Sequence, residues 1–229
     1  MIVGSGLLAR TFGPLYSGRS DICIYAAGVS NSGCEDAHEF LREQQRVGEA
    51  LSRSRHVAAF VYFGTCSAHD PEVSNRPYVQ HKLAMEEMVR AHSRHVVLRL
   101  PQIAGKTPNP HTLLNYLYAR ISRSEAFKIW GGAKRNIIDV DDVASIARRL
   151  LADDSVRNTT VNIANPVNYS MAEIVEAMAG VVGKRPIFEV IQRGSDYPID
   201  TGAMRSALAE SGVEFGENYL RKVIAKYYG

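Results

Sequence analysis

Short apolar runs and stretches of helically spaced apolar residues take turns along this chain. The runs at residues 1–3, 22–26, 58–63, 95–100 and 160–164 are too short for helices, and most are rich in branched or aromatic side chains, so they read as strands. Between them apolar residues recur every three or four positions over 7–16, 34–53, 78–92 and 112–122, which predicts helices. A short strand at 127–130 follows, then a strand with its helix across 136–152. The tail, with segments 171–182, 187–191 and 200–228, reads as a small α/β cap. This alternation predicts the α/β class, a doubly wound parallel sheet with helices on both faces and a small C-terminal α/β region.

Two places along this pattern carry chemistry. Tyr78 and Lys82 stand four apart in a predicted helix and therefore share one face. An ammonium beside a phenol favours the phenolate, so the pair suits proton exchange with a carbinol or carbonyl oxygen. Alone, the spacing fits an ordinary surface helix equally well. Upstream, the strand at 58–63 runs into Gly64-Thr65-Cys66-Ser67, which offers two hydroxyls where the strand ends. The second place is Gly4-Ser5-Gly6-Leu7-Leu8-Ala9, between a strand and a helix. Glycines there let the backbone approach a pyrophosphate, whose charge a helix N-terminus favours; a plain tight turn is the alternative.

Composition narrows the classes. The chain has 229 residues, 45% hydrophobic and 22% charged, enough for a substantial core. Its net charge of +3 comes without a long Lys/Arg run, so neither nucleic acid nor membrane is expected as a partner, whereas an anionic small molecule suits it. Cys23, Cys34 and Cys66 are odd in number and lack metal-ligand spacing, which predicts free thiols in a reducing compartment, the cytoplasm, and no metal site. No apolar run is long enough to span a membrane.

Taken together, these motifs resemble the extended short-chain dehydrogenase/reductase superfamily, the NAD-dependent sugar-nucleotide epimerases, dehydratases and reductases. Thr65 precedes Tyr78 by thirteen residues, as the catalytic hydroxyl precedes the tyrosine there. Gly4 to Ala9 stands for the Gly-x-Gly-x-x-Gly/Ala loop, Ala26-Ala27-Gly28 for the turn closing the fourth strand, and Arg135 to Val143 for the Arg-Asp block of the extended branch. The resemblance implies a Rossmann-like domain over 1–103 and 136–165, with a nucleotide-sugar region over 104–135 and 166–229. It implies Thr65, Tyr78 and Lys82 as catalytic residues, with Tyr78 the acid/base. NAD or NADP would contact Gly4, Gly6, Leu7, Leu8, Ala26, Ala27, Gly28, Tyr78, Lys82 and Pro101. The substrate would meet Ser67, Asn109, His111 and Arg135, the arginine on its diphosphate.

The chain also departs from that family. A second strand ending in an acidic residue normally holds the adenosine ribose; here the next strand already ends in Ala26-Ala27-Gly28, so a βαβα stretch is missing. Arg19 is a candidate for an NADP phosphate and equally a solvated residue. Dehydratases carry Asp-Glu after the threonine, where this chain has Cys66-Ser67, which disfavours dehydration. Reductases of the GDP-fucose synthase kind use a cysteine and a later histidine, to which Ser67 and His111 correspond by position. The expected function is therefore NAD(P)-dependent reduction of a nucleoside-diphosphate 4-keto-hexose in deoxysugar or surface-polysaccharide synthesis. The alternatives are a 4-epimerase with tightly held NAD, or a non-catalytic nucleotide-binding or interaction protein. A homodimer built on helices 34–53 and 78–92 is expected by resemblance, with Leu83, Met85 and Met88 as contacts or as sheet-facing core. Asp141 and Asp142 are expected to cap and open a helix.

Overall fold

A computed structural model describes residues 1–229. Five parallel strands form the central sheet in the order β1 (Ile2–Val3), β2 (Ile22–Tyr25), β3 (Ala59–Thr65), β4 (His95–Leu100) and β9 (Thr159–Asn162). Strands buried on both faces read as continuous apolar runs, as β2 and β3 do. Their pleat splits the core in two. Val61, Phe63 and Leu98 face the layer of α1 (Leu7–Tyr16) and α5 (Val140–Ala152), while Phe60, Tyr62 and Val97 face α2 (Ala37–Arg53) and α3 (Pro77–Arg90).

The helix boundaries follow local chemistry. Asp36 caps α2 by accepting from the His38 amide at 2.8 Å. Pro77 occupies the first turn of α3, where its missing N–H costs nothing. The cap of α5 is Asp139, which accepts from the Asp141 amide at 2.9 Å; Asp141 and Asp142 lie one step further in, in the first turn, rather than at the cap. The acidic cluster there is answered by the C-terminal helix α8 (Tyr219–Tyr228): Lys226 Nζ lies 2.7 Å from both Asp139 and Asp141, and Tyr219 donates to Asp142.

The long crossover from β4 to β9 carries β5 (Gln102–Ala104), which pairs in parallel with β8 (Ile137–Asp139), and α4 (Leu113–Ser122). A second core gathers α4, α8, α6 (Met171–Val182) and β6 (Phe127–Trp130), with β11 (Phe188–Ile191) beside β6. β7 (Lys134–Arg135) and β10 (Tyr169–Ser170) form a small antiparallel pair. From the tail, α7 (Arg205–Ser211) and Met204 return to pack on α5 in the sheet-side core. Met85 also belongs to a core, beneath α3, so it faces the sheet, while Leu83 and Met88 are half-buried.

β1 is an edge strand with β2 as its one neighbour. No strand of the sheet lies beyond it to bring an acidic side chain to the glycine loop. Arg19 pairs with Asp21 at 2.7 Å ahead of β2, at the end of that strand opposite Ala26-Ala27-Gly28.

Candidate active site

The C-terminal ends of β1 to β4 open onto one cleft of about 910 Å³. Open α/β sheets bind ligands in this position. Gly4, Gly6, Leu7, Leu8, Ala26, Ala27, Gly28 and Pro101 all line it, and so do Thr65, Ser67, Tyr78, Lys82, Asn109 and His111. The structure thus brings the expected catalytic, cofactor and substrate residues to one concavity except Arg135, and it leaves Arg19, the candidate for an NADP phosphate, at the far end of β2.

The glycine loop has a geometric need for its first glycine. Gly4 has φ +125°, and a Cβ on it would collide with the Ala26 carbonyl, so the loop presses directly on the turn after β2. Gly6 caps α1 with open space around it, and no acidic residue stands in that helix's first turn. An anion at this helix start meets free backbone N–H groups and no repulsion.

Thr65 ends β3 and caps the turn after it. Its Oγ accepts from the Ser67 amide at 3.1 Å, which leaves the hydroxyl proton free to be donated, and Thr65 lines the cleft together with Tyr78. Burial pushes the Tyr78 phenol above its ordinary pKa, and the charge of Glu43 pushes it further; the Thr65 hydroxyl works against both. The resting group is therefore a phenol. Cys66, fully buried, has its thiol pushed up to about 12 by burial and is no nucleophile.

Beneath this pair lies an ionic network centred on Glu43, whose side chain is 1% exposed. Its Oε1 accepts from Tyr62 at 2.8 Å and Lys82 Nζ at 3.2 Å; its Oε2 accepts from the Val29 amide at 2.7 Å and His81 Nε2 at 3.0 Å. Lys82 also sits 4.5 Å above the centre of the Tyr62 ring. Burial lowers the Lys82 pKa, with Glu43 opposing that shift. Burial alone would raise Glu43, but the His81 bond, Lys82 and the remaining donors hold it down to about 2. Gly28 makes room for the pair: a Cβ there would lie 2.8 Å from both Glu43 Oε1 and Lys82 Nζ.

Glu43 could have been found. Phe40, Glu43, Val47 and Ala50 fall on one helical stripe, which sets a carboxylate among the residues that face inward. Tyr197 has no such signal. It is buried, and its phenol is pushed up to about 12 by burial, with the Ser67 hydroxyl working against that shift.

His111 is exposed at the cleft rim, its amide donating to Asn109 Oδ1 at 3.0 Å, and the cap of α4 is Thr112 rather than the histidine. Asn109 also donates to Ser30 Oγ at 3.1 Å, tying the two rims together. Arg135 stands outside the cleft lining, 3.8 Å from Asp70. Its guanidinium, with those of Arg76 and Arg193, surrounds Trp130 at 5.9, 5.7 and 4.6 Å from the ring centre.

A family model described as NAD dependent epimerase/dehydratase matches residues 18–164, a span that contains Thr65, Tyr78 and Lys82. The chain belongs to that family. The matched span starts after the glycine loop, so the Gly4 geometry is an independent observation. Comparison with curated protein sequences gives no match. Among solved structures, RMD from Pseudomonas aeruginosa complexed with NADPH aligns with TM-score 0.69 and 16% identity over 93% of this chain and 83% of its own. UDP-glucuronic acid 4-epimerase from Bacillus cereus, in complex with UDP-glucuronic acid and NAD, aligns with TM-score 0.72 and 16% identity over 95% and 76%. UDP-glucose 4-epimerase from Thermus thermophilus, complexed with NAD, gives 0.67 and 17% over 95% and 80%. At such identities the likeness is one of fold. No helix is long and apolar enough to cross a membrane.

Proposed function

We propose that this family member is an NAD(P)H-dependent reductase of a nucleotide-activated sugar, converting a 4-keto-hexose to the alcohol. The observation that carries the reading is the meeting of Thr65 and Tyr78 at the wall of a cleft whose floor is a glycine loop and a helix N-terminus. The residues present fit a dinucleotide. Gly4 forces the tight turn, the start of α1 is open to an anion, and Gly4, Gly6, Leu7, Leu8, Ala26, Ala27, Gly28 and Pro101 would hold the group. Bound NAD(P)H supplies the hydride that reaches the carbonyl carbon.

The chain's own residues handle the proton. Tyr78 O–H donates to the carbonyl oxygen as charge builds there, and Thr65 Oγ–H donates a hydrogen bond to the same atom. Lys82 would contact the nicotinamide ribose and stabilise the phenolate left behind, which solvent then reprotonates. Arg135 would bind the sugar's diphosphate, with Trp130 beside it, and Ser67, Asn109 and His111 would meet the sugar.

A 4-epimerase is the second reading, supported by the names of two similar structures. It requires a dinucleotide retained through both half-reactions, whereas the sheet has no strand outside β1 to grip adenosine. Titration calorimetry with NAD, NADH, NADP and NADPH, after mass spectrometry of the denatured protein, separates the readings. Exchangeable binding of a reduced form and its oxidation by a nucleoside-diphosphate 4-keto-6-deoxyhexose supports the reductase. Tight co-purified NAD with interconversion of 4-epimers supports the epimerase. Binding of none of the four removes both and leaves a non-catalytic protein on the same fold.

A further inference from the structure

One wall of the cleft carries a guanidinium that the chain itself does not use. α2 lies over the end of β2, where Tyr25 Oη donates to the Glu43 carbonyl at 3.4 Å, and Tyr25 pairs with Val3 beside the glycine loop. From this stretch Arg42 and Arg46, four apart on one face of α2, both line the cleft along with Gly4 and Ala26. Two carboxylates share the wall, and both are engaged. Asp36 caps α2 through the His38 amide at 2.8 Å, and Glu39 pairs with Arg42. Arg46 is exposed and has no carboxylate partner.

We propose that Arg46, with Arg42 one turn before it, binds the 2′-phosphate of the adenosine ribose, so that the site selects NADP(H) over NAD(H). This deepens the proposed function and rests on its dinucleotide site, not on its sugar chemistry.

The direction of the bound group follows from the sheet. With the nicotinamide at Tyr78 and Lys82 beyond β3, and the pyrophosphate at the start of α1 beyond β1, the adenosine continues past the β1 edge. No strand stands there, so discriminating side chains must come from the helices that flank this edge on its two faces, α1 and α2. α1 offers Arg10, which is tied to the glycine loop through the Ser5 carbonyl at 3.3 Å and to the Lys106 carbonyl at 3.2 Å, and so belongs with the pyrophosphate. α2 offers Arg42 and Arg46. A phosphomonoester carries nearly two negative charges and three acceptor oxygens at neutral pH, which two guanidiniums on one helical face can share. Selection of NAD uses the opposite chemistry, a carboxylate accepting from the ribose 2′-hydroxyl. Asp36 and Glu39 are already committed elsewhere, which leaves the wall with a net call for an anion.

NADPH and NADH differ by this one phosphate, so the ratio of their dissociation constants isolates its contacts. Titration calorimetry measures that ratio without any sugar substrate. The wild type should bind NADPH at least about tenfold more tightly than NADH. Arg42→Ala with Arg46→Ala should lower NADPH affinity by at least about tenfold and leave NADH affinity near the wild-type value. Both side chains are exposed, so the double variant should keep its fold, which circular dichroism checks. Arg46→Ala alone should account for the larger part of the loss, and it supplies the same comparison should the double variant fail to fold. Equal affinities for the two dinucleotides in the wild type, or a ratio that the variants leave unchanged, overturn the proposal while the dinucleotide site stands. Binding of neither dinucleotide defeats that site as well, and the proposal with it.

Discussion

The carboxylate of Glu86 occupies the space that a side chain on Gly64 would need. A Cβ built at Gly64 collides with Glu86 Oε1, which is held beneath β3 by the Arg99 guanidinium at 2.7 Å. Neither partner can move cheaply, since Glu86 is fully buried and Gly64 lies in a strand paired on both sides. Gly64→Ala should therefore destabilise the protein by roughly 1–3 kcal/mol through overpacking. Because the next residue is Thr65, turnover should fall with it. Urea midpoints and rates measured on the same samples check both effects.

Removing Lys82 should cost more than removing the pair. Lys82→Met leaves the Glu43 carboxylate buried without its cation, a loss of about 3–5 kcal/mol. Lys82→Met with Glu43→Gln leaves no stranded charge and should recover most of that stability without recovering activity. Denaturation of both singles and the double gives the coupling energy. Additivity of the two single losses would mean that the contact is energetically idle.

Acid should weaken the fold through Glu43. Its folded pKa, held to about 2, lies below the unfolded carboxyl value near 4.5. Its contribution is complete above about pH 4.5 and is lost as pH falls toward 2. The gap corresponds to about 3 kcal/mol. Stability measured against pH should show this limb in the wild type and a shallower one in Glu43→Gln.

Tyr78→Phe should lower ketone reduction by about 10²- to 10⁴-fold, the usual contribution of a positioned acid. Its circular dichroism and dinucleotide affinity should stay near wild type. A variant that retains its rate would remove Tyr78 from the chemistry.

Trp130 is the one tryptophan in the chain, so its emission reports directly on the three surrounding guanidiniums. Under the proposed function, a nucleoside diphosphate should change that emission. Arg135→Ala should weaken the response at least tenfold, in keeping with the loss of a charge-assisted contact. An identical titration in the variant would place the diphosphate elsewhere.

The architecture was largely legible in the sequence. The segments 7–16, 95–100, 127–130 and 171–182 have the observed bounds, because each is closed by a residue with a local reason to stop or start an element. Pro101 ends β4, and Ser170 with Glu173 forms a capping box on α6. What stayed hidden depends on contacts distant in sequence. β5 is a strand because β8 pairs with it, and α7 joins the sheet-side core through α5 rather than the tail it belongs to in sequence. Asp139 looks like the end of a strand, yet its carboxylate caps the helix that follows. In the cleft, the spacing of Thr65, Tyr78 and Lys82 could be read directly, whereas Glu43 lies far from them in sequence and reaches Lys82 only once α2 and α3 pack side by side.

The edge position of β1 bears on how such an enzyme would sit in metabolism. A dinucleotide gripped at its pyrophosphate, with no strand beyond the glycine loop to enclose adenosine, would behave as a second substrate that enters and leaves with each turnover. On the proposed reading, the rate would then follow the cell's supply of reducing equivalents as closely as its supply of sugar.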